Sequence, residues 1–412
     1  MTVEATAEAG AVPTLSPQSR LGFRSLSILQ EGEEFLVGDP ATGTFISIPE
    51  VGAVAVRELE AGRTIAEAGA AASAHAGQEV DVLDFAEGLV ASGLVTAVDG
   101  VPLAGDTAAP KPRWWLEGVR PELVRPLFSA PAWVLYGLAF AFCVSVLATR
   151  RDLFPTFEDW FFYPNPALCI AVMTVVATVL AAVHEGFHWL AARAAGVAAR
   201  FKVTRRQYLL VFETDLSQLW SVPKARRFSP FLAGMAFDSL VLATALGVRL
   251  GWSDGWLDVP PLLVRFLGAI VLLELLALGF QLMIFLRTDL YAVLITILGC
   301  RNLWRVNLLT LKRRVWPLSS AERSELDQAH ARDRAVARWF ALLYLGGLAW
   351  MGWVFVSLVY PTTVLMIGWM FHTLCGAPVG SSGFWQAVVL GALAAFRLLA
   401  PLAVFVRERL AA

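Results

Sequence analysis

Charge is scarce in this chain. Of 412 residues only 16% are Asp, Glu, Lys or Arg and 57% are hydrophobic, where an ordinary soluble domain carries about 25% charged residues. That balance excludes an ordinary soluble domain and points to a membrane protein. A net charge of −1 excludes a nucleic-acid binder that works by bulk attraction to phosphate. Cysteine is equally thin. Cys143, Cys169, Cys300 and Cys375 lie far apart, which is neither a disulfide framework nor a zinc–thiolate spacing, and buried packing is expected for them. The first residues, "MTVEATAEAGAVPTLSPQ", are acidic and lack an apolar core. No secretory signal is therefore expected, and the N-terminus is expected in the cytoplasm. No internal repeat is visible.

What is present divides into two parts. Residues 1–20 read as a disordered tail and 21–102 as a small soluble domain. Within it "FRSLSILQ", "EEFLVGD" and "TFISIP" read as short strands, the last two joined by a turn at Asp39-Pro40-Ala41-Thr42-Gly43. Three helical patterns follow, "PEVGAVAVRELEAG", "TIAEAGAAASAHAG" and "VDVLDFAEGLVASG". Thr64 and Asp81 stand where N-caps are wanted, Glu67 is placed as a capping-box partner, and Gly62 and Gly93 suit the stops. Residues 103–130, containing "LAGDTAAPKPR", read as a linker and pre-membrane segment, and 131–412 as a transmembrane domain.

Apolar runs of roughly 20 residues place spans near 131–149, 166–192, 229–249, 261–286, 337–359 and 385–406. A shorter run, "TTVLMIGWMFHTLC", makes the count six or seven. Segments 193–227 and 301–338 are rich in Arg and Lys, whereas 251–260 has neither. The positive-inside rule puts both basic segments in the cytoplasm, as does in–out alternation from a cytoplasmic N-terminus.

Inside the second span lies "VLAAVHEGFHWLAARAAG". His184 and His188 are four apart, so they project from one helix face, one turn apart, and can grip a single metal ion. Glu185 is offset by about 100°, from where it can reach a metal-bound water without being a ligand. This is the H-E-x-x-H arrangement, in which zinc acidifies its water and the glutamate carries the proton to the leaving amine. The competing reading is a packed or pore-lining histidine pair, which the cost of intramembrane ionisable groups disfavours. A catalytic zinc needs a third protein ligand. His75 lies in the soluble domain, His330 on a basic stretch and His372 in the short run, so the carboxylates Asp215, Asp238, Glu274 and Asp289 are the better candidates. Matching depth in the membrane favours Asp289.

These segments resemble the intramembrane zinc metallopeptidases of the site-2 protease class. More narrowly, they are similar to the peptide zinc metalloproteases found beside ribosomal peptide natural-product genes. That class pairs H-E-x-x-H with N-x-x-P-x-x-x-x-D-G, whose Asp completes the zinc site. Aligned on Asp289, this chain keeps the Asp and has Gln281, Ile284 and Leu290 in place of Asn, Pro and Gly. "YAVLITILGCRNLW" resembles the continuation of that motif through Tyr291, Leu294, Leu298, Gly299, Asn302 and Leu303, and "FETDLSQLWSVPKARRFSPFLAG" resembles the stretch between the two motifs. The resemblance covers about residues 130–310. It implies His184, His188 and Asp289 as zinc ligands and Glu185 as general base and acid.

The N-terminal segment "LVGDPATGTFISIPEVGAVAVRELEAGRTIAEA" resembles the PqqD-like elements that bind leader peptides. Its acidity (Glu31, Glu33, Glu34, Glu58, Glu60) opposes a DNA-binding wing. An extended peptide would add to an edge of the hairpin, with Val82, Phe85 and Leu89 walling the groove. The expectation is thus a multi-spanning α-helical membrane protein of six or seven spans with a small α+β winged-helix-like domain. It would be a zinc endopeptidase of the cytoplasmic membrane that cuts the leader from a modified peptide, with the lipid bilayer and a precursor peptide as partners. Peptide-modifying enzymes or an exporter are further partners that such a setting implies, and no nucleic acid is expected. Two alternatives stay open: regulated intramembrane proteolysis of an anchored regulator, and a non-catalytic export or immunity protein.

Overall fold

The computed structural model describes residues 14–40, 42–103, 119–197, 199–206 and 209–411. The described residues form two compact units, one drawn from 1–120 with 196–199 and 215–227, the other from the remainder.

In the first unit the short runs rich in Phe, Leu, Ile and Val become strands. β1 (Leu21–Phe23), β2 (Ser27–Glu31), β3 (Glu34–Asp39) and β4 (Thr44–Pro49) lead into three helices. These are α1 (Glu50–Glu60), α2 (Ile65–Ala76) and α3 (Val82–Ala91), and β5 (Val95–Val98) and β6 (Val101–Pro102) close the unit. One sheet has the order β2-β3-β4, the other β1-β5-β6. The run expected as a single strand over "FRSLSILQ" is therefore split: β1 pairs with β5 and β2 with β3. β3 pairs with β4 in a register that sets Phe35 opposite Ile48 and Val37 opposite Ile46. Gly43, at φ +74°, turns the chain between them, and its N–H donates to the carbonyl of Asp39 at 2.9 Å.

Phe35, Val37 and Ile48 pack against Ala53, Val56, Leu59, Ala68, Val82, Ala86 and Leu89 in one core. Val82 and Leu89, expected to wall a groove, are 3% and 1% exposed within that core, because α3 packs against α2 and β5; only Phe85 stays half-buried. The caps form as their spacing dictates, with a reciprocal capping box between Thr64 and Glu67 and Asp81 accepting from Leu83 and Asp84 N–H. Residues 17–20, expected in the disordered tail, are bonded to the start of α2, where Ile65 N–H and Ala66 N–H donate to the carbonyls of Ser19 and Pro17. The segment 104–118, which holds most of the expected linker, lies outside the described residues, as do residues 1–13.

Residues 215–227 join this unit through a buried arginine. Arg227 is 1% exposed, stacks over Trp220 at 4.7 Å, donates to the carbonyls of Leu219 and Val222, and pairs with Glu31 at the end of β2. A guanidinium removed from water needs all of these partners, since an unpaired buried charge is strongly unfavourable.

The second unit is helical. After α4 (Pro121–Val124) come α5 (Ala130–Thr149) and α6 (Pro166–Ala194). β7 (Arg200–Arg206) pairs with β8 (Leu209–Asp215), and α7 (Lys224–Ser253) and α8 (Pro261–Gln281) follow. Next come α9 (Asp289–Leu298), α10 (Leu303–Val315), α11 (Ser320–Gln328) and α12 (Ala331–Val354), then α13 (Tyr360–Gly376) and α14 (Ser382–Ala411). Among the described residues five helices are long and apolar enough to cross a membrane, or six if α9 and α10, bent by 89°, make one span.

Three differences from the sequence expectation matter. The β7–β8 pair lies inside what reads as a basic loop. The span expected to reach residue 286 ends at Gln281, and a 3-10 turn, Ile284–Leu286, follows. Residues expected as two elements, 337–359 and the short run after it, form one helical stretch, Ala331–Gly376, through a π turn at Phe355–Val359. The π turn precedes Pro361, whose missing N–H and bulky ring an unbroken α-helix would not accept without adjustment. At 1.5 Å per residue that stretch is about 70 Å long against a hydrocarbon thickness of about 30 Å, so only part of it can cross. Cys375, expected to be buried, is exposed on α13, and the other three cysteines are buried.

Candidate metal centre

The centre is built on α6 and α7. His184 and His188 stand one turn apart on α6. Pro230, Gly234 and Asp238, each four residues from the next, make a matching stripe on α7. The two stripes meet in opposite directions. His188 Nδ1 lies 2.6 Å from the carbonyl oxygen of Pro230, and His184 Nδ1 lies 2.8 Å from Asp238 Oδ2. A carbonyl can only accept, so His188 carries its proton on Nδ1, and the Asp238 carboxylate imposes the same tautomer on His184. Both Nε2 lone pairs therefore face inward.

They face a third acceptor. Asp289, first residue of α9, brings Oδ2 to 3.2 Å from His184 Nε2 and 3.1 Å from His188 Nε2, and the two nitrogens are themselves 3.1 Å apart. Three lone-pair atoms held so close repel one another unless a cation or a proton sits among them. Ligand atoms bound at about 2.0–2.2 Å to a tetrahedral ion stand about 3.3–3.6 Å apart, close to the observed triangle. Gly234 backs the same point. A Cβ built there would lie 2.3 Å from His184 Nε2 and 2.5 Å from His188 Nε2. The missing side chain thus leaves open the position that a shared ion would take.

Glu185 stands beside the pair. His184, Glu185 and His188 form a group that could hold a metal ion, with ligand atoms within 4.8 Å of one another. Its Oε2 accepts from the Thr214 N–H of β8 at 2.9 Å, and its main-chain carbonyl accepts from Thr214 Oγ1 at 2.8 Å. The strand that the sequence reading missed thus anchors the glutamate. Of the converging side chains Asp289 is the most open, at 27% exposed, and His188 the most enclosed, at 2%.

The remaining candidates go elsewhere. Asp238 serves the far nitrogen of His184. Glu274 is buried on α8, and its Oε2 has no hydrogen-bond partner among the described residues. Asp215 accepts from the N–H and hydroxyl of Ser217. His75 lies 3.7 Å from Glu50, His330 caps α12, and His372 is exposed on α13. Sequence reasoning missed Thr214, Pro230 and Gly234. The spacing of four through Pro230, Gly234 and Asp238 was the available signal for two of them. No family model matches the chain, and neither does any curated protein or solved structure. The centre stands on the convergence of its own atoms.

Proposed function

We propose that the chain is an integral-membrane zinc endopeptidase of the site-2 type that removes the leader of a ribosomally made, modified peptide. The observation that carries the reading is the convergence of His184 Nε2, His188 Nε2 and Asp289 Oδ2 on one point, with the Glu185 carboxylate alongside. Two imidazoles and one carboxylate leave a fourth position open, which is the donor set of a catalytic zinc; magnesium and calcium prefer oxygen alone. When bound, zinc supplies Lewis-acid polarisation of the scissile carbonyl and lowers the pKa of water.

The protein's own groups do the rest. Asp238 and the Pro230 carbonyl hold the imidazoles in the tautomer that ligation needs. Glu185, oriented by Thr214, takes a proton from the attacking water and delivers it to the amine nitrogen as the C–N bond breaks. The basic segments 193–227 and 301–338 support, by the positive-inside rule, a site toward the cytoplasmic surface.

We assign leader recognition to the N-terminal unit. β3 is paired on both sides, and among the described residues β2 and β4 are the two edges of its sheet; we assign the incoming strand to β4, the free edge of the β3–β4 hairpin. Two measurements test the assignment with the full chain. Cleavage of a candidate precursor should stop with chelator and return with zinc. The precursor should also have a KM roughly tenfold or more below that of a short peptide spanning only the cut, because a captured leader raises the local concentration of the scissile bond. Free leader added in trans should raise the first KM and leave the second unchanged. Chelator-resistant cleavage would remove the metal reading. A leader that does not compete would remove the recognition role and leave the peptidase intact.

A further inference from the structure

We infer that Gln281 is a positioning residue that holds Asp289 at the metal centre, an assignment that rests on the metallopeptidase reading. α8 ends at Gln281 and α9 begins at Asp289, so the loop between them delivers the third ligand. The first N–H groups of a helix have no partner within it and are normally met by the N-cap side chain. Thr288 occupies the N-cap position of α9 and makes no such bond; its hydroxyl donates backward to the Gln281 carbonyl at 2.8 Å. Gln281 takes over the cap. Its Oε1 accepts from Asp289 N–H at 3.0 Å.

The same carboxamide also holds the ligand oxygen. Gln281 Nε2 donates to Asp289 Oδ2 at 2.9 Å, the atom that meets both histidines. One amide thus grips the main chain and the side chain of one residue. Asp289 is the most exposed of the three converging groups, so it is the one whose rotation most needs an external restraint. A neutral donor supplies that restraint without adding a charge that would compete with a cation. The loop closes through Arg287 at φ +61°, a left-handed conformation rarely adopted by a residue with a side chain, which brings Thr288 and Asp289 back against Gln281.

The test measures metal affinity in the purified full-length protein by competition with a zinc chelator, and the visible spectrum of the cobalt-substituted form. Q281M keeps the side-chain length and loses both hydrogen bonds. Q281E keeps an acceptor for Asp289 N–H and sets a like charge beside Oδ2. Q281M should weaken zinc binding about 10- to 100-fold, the usual cost of removing a group that orients a ligand, and shift the cobalt bands. Q281E should weaken it further. Wild-type affinity and spectrum in Q281M would overturn the inference. Should Q281M not fold, wild-type affinity in Q281E would overturn it and weakened affinity would support it. A wild-type protein that takes up neither metal would overturn the metallopeptidase reading itself, whereas a metal-binding wild type with indifferent variants would remove only the role of Gln281.

Discussion

Gly234→Ala is expected to abolish stoichiometric metal binding in a protein that still folds. The added Cβ would stand 2.3 Å from His184 Nε2 and 2.5 Å from His188 Nε2, which is metal–nitrogen distance and far inside carbon–nitrogen contact. Neither ring can turn away cheaply, because His184 is held by Asp238 at 2.8 Å and His188 by the Pro230 carbonyl at 2.6 Å. Ala is otherwise the better residue within a helix, by about 1 kcal/mol over Gly, so intrinsic propensity does not oppose the change. Two measurements separate the effects: zinc content per chain, and the melting temperature with and without zinc. Wild type should gain stability from zinc, as any ligand of the native state confers, and Gly234→Ala should not. In chelator the variant should already melt below wild type, because the Cβ displaces rings that are held, and zinc should widen the gap. One zinc per chain at wild-type affinity in the variant would show that the ion does not sit at this point.

Glu185→Gln is expected to keep the metal and to lose peptide cleavage by about 10²- to 10⁴-fold, the range typical of a general acid–base. Gln retains an oxygen that can accept from Thr214 N–H, so the geometry around residue 185 is preserved while proton transfer is not. His184→Ala should lose both metal and activity, because it removes one of the converging atoms and leaves Asp238 without its partner. Single-turnover cleavage read beside zinc content distinguishes the two variants. Cleavage at the normal rate by Glu185→Gln would remove Glu185 as the general base, whereas a wild type that holds zinc and cuts no precursor would favour a carrier that merely binds metal.

The parts legible in the sequence were those that short spacing determines. A four-residue interval sets His184 and His188 on one face of α6 whatever surrounds the helix. The capping box of Thr64 and Glu67 closes within three residues, and apolar runs of span length make long apolar helices in any packing. Membrane depth and a motif without its Asn, Pro and Gly point to Asp289, whose Oδ2 lies within 3.2 Å of both histidines. The β7–β8 pair is hidden in the sequence, because its basic residues dominate the segment and mask its strand character.

Tertiary structure alone decided how the local pieces meet. His184 and Asp289 are 105 residues apart, and only the packing of α6, α7 and the α8–α9 loop brings their atoms to 3.2 Å. Gly234 carries no chemistry that a sequence can advertise; its importance is the volume it leaves empty beside two rings. Gln281 reads as a motif residue lost until the loop folds back and spends both ends of its amide on Asp289. Arg227 reads as one more charge of a basic segment, yet it is buried against Trp220 and Glu31. The physical reason is the same in each case. Periodicity and capping follow from backbone geometry over a few residues, whereas the partner of a buried polar atom is set by which distant segments exclude water together.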